Sequence, residues 1–201
     1  MAPAAPIYTR HGDGGLTRVG GAGSVSKGAP VVEALGSIDE LSTSIGCARD
    51  AAADAEVRAE LLWVQHRLVE LAAIVDELPE PGPARADHLD VRRLEASCDR
   101  LAERLPELRG FVLPGGEGAG GLLHIARVAC RRAERAMCAC MASGDLTAPE
   151  SSSPPASVSA ALAFANRLGD WLFLAARWEN HLAGTPEPDY VAGGRADAGA
   201  T

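Results

Sequence analysis

The chain has 201 residues, 47% of them hydrophobic and only 4% aromatic, with a formal net charge of -8 at pH 7. This is enough apolar material for one sizeable core, and the acidic balance excludes a general nucleic-acid binder, whose phosphate contacts require a surplus of Lys and Arg. Scarce aromatics favour helices over sheets, no apolar run of about 18 residues is present to cross a membrane, and the N-terminus lacks secretory or transit patterning.

A cytoplasmic, mostly helical protein is therefore expected. The five cysteines, Cys47, Cys98, Cys130, Cys138 and Cys140, show no CxxC spacing. They read as reduced thiols and not as a zinc site or a disulfide framework.

In chain order, a short extended IYT is followed over residues 10–30 by the glycine-rich RHGDGGLTRVGGAGSVSKGAP, which reads as a long loop without regular structure. Val32, Leu35, Ile38, Leu41 and Ile45 then recur at three- and four-residue steps and predict an amphipathic helix over 31–51. A second helix is predicted over 55–78, with Leu61, Leu62, Val64, Leu68, Leu71 and Ile74 on its apolar side, and the three prolines of PEPGPARAD stop it.

A third helix is predicted over 88–105, a fourth over 118–143 after FVLPGGEGAGG, and a fifth over 157–182 after the polar GDLTAPESSSPPAS. The resulting expectation is an all-α, five-helix antiparallel bundle over 31–183, preceded by a glycine-rich N-terminal loop, 1–30, that belongs to the same domain. Residues 184–201 read as a flexible tail, apart from a docking of Tyr190.

Polar stripes run along three of these helices. On the fourth, RVACRRAER (127–135) holds four arginines, and His124, Arg127, Arg131, Glu134 and Arg135 share one side. Taken alone, such a stripe is more often a solvated surface with a local ion pair. On the fifth, Asn166, Asp170, Phe173 and Arg177 are aligned, and Asp39 and Glu40 interrupt the apolar run of the first. Guanidinium groups near an apolar side require carboxylate or phosphate partners, within the bundle, across a subunit contact or from a ligand.

Two decoys fall away. GAGSVSKG resembles a P-loop, but it has Ser26 where the second glycine belongs and Gly28 where Ser or Thr should follow Lys27. No Glu-x-x-His pair supports a di-metal bundle.

Taken together, IYTRHGDGG (7–15), EALGSIDELSTSIG (33–46), FVLPGG (111–116), HIARVACRRAER (124–135) and NRLGDWLFLAAR (166–177) resemble the signature set of the PduO-type ATP:cob(I)alamin adenosyltransferases, in order and over about residues 7–182. The resemblance implies a homotrimer of five-helix bundles with active sites between adjacent subunits. It implies transfer of the 5′-deoxyadenosyl group of ATP to cob(I)alamin, formed from cob(II)alamin, with release of tripolyphosphate.

Carried onto this chain, the resemblance places Thr9, His11, Gly12, Asp13 and Lys27 in the loop over the triphosphate, and Arg131, Glu134 and Asn166 in the ATP pocket, with Mg²⁺ near Glu134. Asp39 and Arg127 match a pair that bridges subunits beside the corrin, so Arg127 and Arg131 are expected to face inward, to a neighbouring subunit and to phosphate, with Arg132 exposed or structural. Phe111 matches the aromatic on the lower face of the corrin, and Phe173 a hydrophobic neighbour. Asp39, Phe111, Arg127 and Arg131 are the expected catalytic set. A cobalamin reductase and an adenosylcobalamin-dependent mutase are the implied partners.

Two positions depart from the pattern: His11 stands where Thr or Asn is usual, and Val31 where Arg is common. An imidazole donates in either protonation state but gains charge only below about pH 6.5, so ATP affinity is open to weakening or pH dependence. These departures keep a rival reading in view, a non-catalytic trimeric module that binds or delivers adenosylcobalamin or ATP.

Overall fold

The computed structural model describes residues 7–78, 81–108, 110–143 and 155–190. Its main elements are a hairpin of β1 (Leu16–Val19) and β2 (Gly23–Ser26) and five helices: α1 (Pro30–Ala51), α2 (Ala55–Asp76), α3 (Val91–Arg104), α4 (Ala119–Ala142) and α5 (Ala156–Ala183). The predicted helices are all present, with ends displaced by at most three residues.

Local chemistry sets those ends. Pro30, which needs no N–H partner, opens α1. The Asp54 carboxylate caps α2 by accepting from the Glu56 and Val57 amides, and Asp90 caps α3 through the Arg93 amide. Gly184, in the left-handed region at φ 66°, terminates α5.

Helices consecutive in the chain alternate in direction, whereas α3 and α5 pack side by side in parallel, with Glu95 against Arg167 and Ser97 against Trp171. Cys130 on α4 donates to the Ala165 carbonyl on α5 at 3.2 Å, while Asn180, late in α5, donates to the Gly115 carbonyl just ahead of α4 at 3.1 Å. Arg49 late in α1 reaches Gln65 in α2 at 2.7 Å, and Arg93 early in α3 grips the buried Glu60 of α2 at 3.0 and 2.9 Å. The Trp171 indole of α5 donates to Ser97 of α3 at 2.9 Å.

The core runs through all five helices, with Leu41, Ile45, Leu68, Leu123, Phe164 and Trp171 fully buried. Ala126, Ala129 and Ala133 are small enough to let α4 lie close between α1 and α5.

Three expectations need correction. Residues 10–30 are not without regular structure: Leu16 pairs with Ser26, Thr17 with Val25, Arg18 with Ser24 and Val19 with Gly23. The alternation ending in the buried Val19 is a strand signal that the surrounding glycines obscured. The third helix begins at Val91 and not at residue 88, because the proline-rich segment first forms a separate 3-10 turn, Pro83–His88. Finally, Leu62, expected on the apolar side of α2, is 46% exposed, one step off the buried face that Leu61, Val64 and Leu68 define; Val31, where Arg is common, is buried in the core.

The expected Tyr190 docking is present. The Leu113 amide donates to the Pro188 carbonyl at 2.9 Å, the Tyr190 amide to the Phe111 carbonyl at 2.7 Å, and Val112 bridges Asp189. The predicted polar loop falls largely on 144–154, and the remaining tail on 191–201; both lie outside the described residues.

Candidate active site

The N-terminal turn is built on backbone hydrogen bonds: Asp13 N–H to the Arg10 carbonyl and Gly15 N–H to the Gly12 carbonyl, each 3.2 Å. The Lys27 amide donates to the Gly15 carbonyl at 2.9 Å, extending the hairpin pairing by one step and tying the lysine to the turn. Its amine lies over Gly12, where an added Cβ would be 3.0 Å from Nζ. Gly12, Asp13 and Lys27 are therefore brought together, with Thr9 and His11 exposed on the same turn. An exposed amine beside short turns of glycine backbone suits an anion.

A second cluster lies on the seam between α4 and α5. The Asn166 amide donates to Glu134 Oε1 at 3.1 Å, and Arg131 stands one turn before Glu134 on the same side of α4. The expectation that Arg131 faces inward is not met within the chain: its side chain is exposed, with no ion pair among the described residues. The row bends from the surface into the bundle toward its N-terminal end, so only its first members are covered.

There the Arg127 guanidinium lies 6.0 Å from the centroid of the Phe173 ring, and its buried Nε lacks a hydrogen-bond partner among the described residues. His124, 5% exposed, packs 6.2 Å from the same ring with both nitrogens unpartnered. Burial pushes the His124 imidazole below its ordinary range, Arg127 pushes it further down, and Glu187 opposes the shift.

Another face of α4 borders a cleft of about 560 Å³ against α1, lined by Asp39, Glu40, Thr43, Ile125, Arg132 and Arg135 among others. Arg132 forms an ion pair with Glu40, a partner for it that lies across the helix pair. Asp39 and Arg127 do not meet within the chain: Asp39 lines the α1–α4 cleft, whereas Arg127 lies against Phe173 of α5. Ile125 and Val128, each more than half exposed, give the α4 side of this cleft an apolar surface.

Phe111 is 68% exposed on the loop ahead of α4, with its ring edge-on to Tyr190 at 6.3 Å and 88°. The segment that carries Tyr190 is fixed by the buried Arg177–Glu187 ion pair, 3.0 Å, and Arg177 also donates to the Pro106 carbonyl at 3.2 Å. Asn180 packs so closely on Gly116 and Gly120 that a Cβ at either would collide with its side chain. Sequence reasoning missed Asn180 and Glu187, although the spaced glycines ahead of α4 were a signal of close approach.

These features define a helical-bundle protein that carries a glycine turn with an exposed lysine, an Arg–Glu–Asn cluster on the α4–α5 seam and an exposed aromatic pair, groups of the kinds that suit a polyanion and a flat apolar ligand. The sequence matches the family model described as "Cobalamin adenosyltransferase" over residues 7–179. It is 35% identical over 188 residues to a corrinoid adenosyltransferase of Bacillus subtilis, covering 92% of this chain and 91% of that protein. A cobalamin adenosyltransferase of Cupriavidus metallidurans is 36% identical over 179 residues, covering 89% and 90%.

Among solved structures, the chain is similar to a variant PduO-type ATP:corrinoid adenosyltransferase from Lactobacillus reuteri complexed with cobalamin and ATP. The TM-score is 0.77 at 28% identity, covering 92% of this chain and 99% of that one. The chain belongs to the cobalamin adenosyltransferase family.

Proposed function

We infer that the protein transfers the 5′-deoxyadenosyl group from ATP to cob(I)alamin, forming adenosylcobalamin and tripolyphosphate. The observation that carries this reading is the coexistence, within one bundle of this family, of the Lys27 turn, the Arg131–Glu134–Asn166 cluster and the exposed Phe111. In the reaction, the Co(I) lone pair forms a bond to C5′ as the C5′–O bond breaks. The leaving tripolyphosphate takes that bonding pair, and the cobalt is formally oxidised by two electrons.

This chain's residues act around that displacement. Lys27 and Arg131 neutralise charge on the leaving triphosphate, and the Gly12–Asp13 turn closes over it. Thr9 and His11 add hydroxyl and imidazole donors, and Asn166 orients Glu134. Among the described residues no group of three or more His, Cys, Asp or Glu forms a metal cage. Glu134, with one oxygen given to Asn166, fits the single carboxylate that suits Mg²⁺ held mainly by phosphate oxygens and water. That ion would supply further charge neutralisation of the triphosphate.

Phe111 occupies the lower face of the corrin and keeps an axial base from cobalt, with Phe173 as a hydrophobic neighbour. Loss of the lower donor makes reduction of cob(II)alamin easier, since axial ligation is a principal protein control on a metal's potential. The unpartnered Arg127 Nε and the uncovered α1–α4 cleft support a homotrimer in which Arg127 meets Asp39 of a neighbouring copy beside the corrin. An electron-donating cobalamin reductase and an adenosylcobalamin-dependent mutase are the partner classes that this chemistry implies.

Incubation with ATP, Mg²⁺ and chemically reduced cobalamin tests the reading. Light-sensitive alkylcobalamin and tripolyphosphate are expected in equal amounts. Arg131→Ala should lower ATP-dependent turnover by about 100-fold or more with an unchanged helical spectrum. Tight binding of ATP and corrinoid by the native protein without product would instead identify a delivery module.

A further inference from the structure

The hairpin that carries Lys27 is fastened to the bundle at its turn. Gly21 N–H donates to the main-chain carbonyl of Asp76 at 2.7 Å, and Gly20 N–H donates to Asp76 Oδ1 at 3.0 Å. A Cβ at Gly20 would collide with the Asp76 carboxylate, and one at Gly21 with the Leu78 carbonyl. No larger residue fits this contact as it stands.

Asp76 is the last residue of α2, and the last turn of that helix has no basic residue. A carboxylate at a helix C-terminus faces the negative end of the dipole, so helix energetics disfavour aspartate there. Its gain lies in the hairpin: one side chain and one otherwise orphaned helix carbonyl take up two glycine amides.

From that fastening, four residue pairs of sheet lead to the opposite end, where Lys27 and the 10–15 turn stand. The exit is fixed as well, through Gly28 N–H to Ser26 Oγ at 3.1 Å and Ala29 N–H to the Ser26 carbonyl at 3.0 Å, directly ahead of α1. The direction of the hairpin is thus set by two points, and one of them is Asp76.

We propose that Asp76 is a positioning residue for adenosyl transfer, clamping the hairpin turn to the end of α2 so that Lys27 is held where the triphosphate binds. This rests on the triphosphate reading of the Lys27 loop given above. Asp76 itself touches no substrate.

Steady-state kinetics on the full-length protein separate the two claims. Asp76→Ala should raise KM for ATP by about tenfold, the scale of a lost charge-assisted hydrogen bond, and lower kcat with it because Lys27 also neutralises the leaving triphosphate, while KM for the corrinoid stays within twofold of native. Asp76→Asn, which keeps the Oδ1 acceptor, should recover most of the ATP affinity. Gly21→Ala, which alters no helix residue, should reproduce the Asp76→Ala effect and serves if that variant folds poorly. In a Lys27→Ala background, Asp76→Ala should add little.

If Lys27→Ala raises KM for ATP while Asp76→Ala and Gly21→Ala leave it within twofold, the clamp is wrong and the triphosphate reading survives. If Lys27→Ala also leaves it unchanged, the loop does not hold triphosphate, and both claims fall.

Discussion

His124 shows how a single side chain couples the site to pH. It is buried, it faces Phe173 and Arg127, and its imidazole is held below the ordinary histidine range chiefly by desolvation. In the unfolded chain it titrates near pH 6.5. As pH falls below that value the unfolded state takes up a proton that the folded state resists, so folding stability declines until the folded value is passed. Tm should therefore fall between pH 7.5 and pH 5.5, and the fall should be smaller in His124→Phe; an identical pH dependence in the two proteins would remove this role.

Asp54 also loses stability on acidification, but because its charged form is favoured in the fold and not because burial resists charge. Burial raises its pKa, but hydrogen bonds from the Trp178 indole and the Val57 and Glu56 amides, with the Arg104 charge, outweigh burial and leave it below the usual carboxylate value. Its stabilising contribution is present above the unfolded carboxylate pKa and is lost as pH drops through the lowered folded value.

At the scale of elements, the corner between α1 and α2 depends on α5. The buried Glu179 carboxylate accepts from the Ala53 amide at 2.9 Å and from the Asp54 amide at 3.1 Å, closing the link that turns α1 back into α2. Glu179→Ala leaves both amides without that acceptor and should cost about 1–3 kcal/mol, read as a lowered urea midpoint. A midpoint unchanged from native would show that water replaces the carboxylate fully.

The same elements show what the sequence made legible. Helix positions followed from apolar steps such as Val32, Leu35, Ile38 and Leu41, because burial on one face imposes that period. The hairpin did not, because β2 is GSVS, with too little apolar alternation to stand out from its glycines. Site residues were recognisable as types in stripes, but orientation was not: Arg131 and Arg127 share a stripe, yet one is exposed and the other half-buried. Contacts such as Glu179 with Ala53, or Asn180 with Gly115, join residues far apart in sequence, and no local pattern encodes them.

For the whole molecule, a single copy leaves the proposed chemistry unfinished. Asp39 lines the α1–α4 cleft while Arg127 packs on Phe173, Ile125 and Val128 are exposed, and Arg127 Nε lacks a partner among the described residues. Three copies arranged head to tail would let each cleft meet the opposite surface of its neighbour. Sedimentation equilibrium should give three times the 20.8 kDa chain mass. Asp39→Ala should weaken that assembly and raise KM for the corrinoid together, whereas a monomer with full activity would refute the shared site.

The measurement that bears most directly on the central claim follows the absorption spectrum of cob(II)alamin as it is added to the protein with saturating ATP. The account predicts a shift to the spectrum of cobalt without its lower ligand, dependent on ATP and largely lost in Phe111→Ala. A spectrum that keeps the lower base bound at saturation, or a shift of equal size in Phe111→Ala, would contradict it.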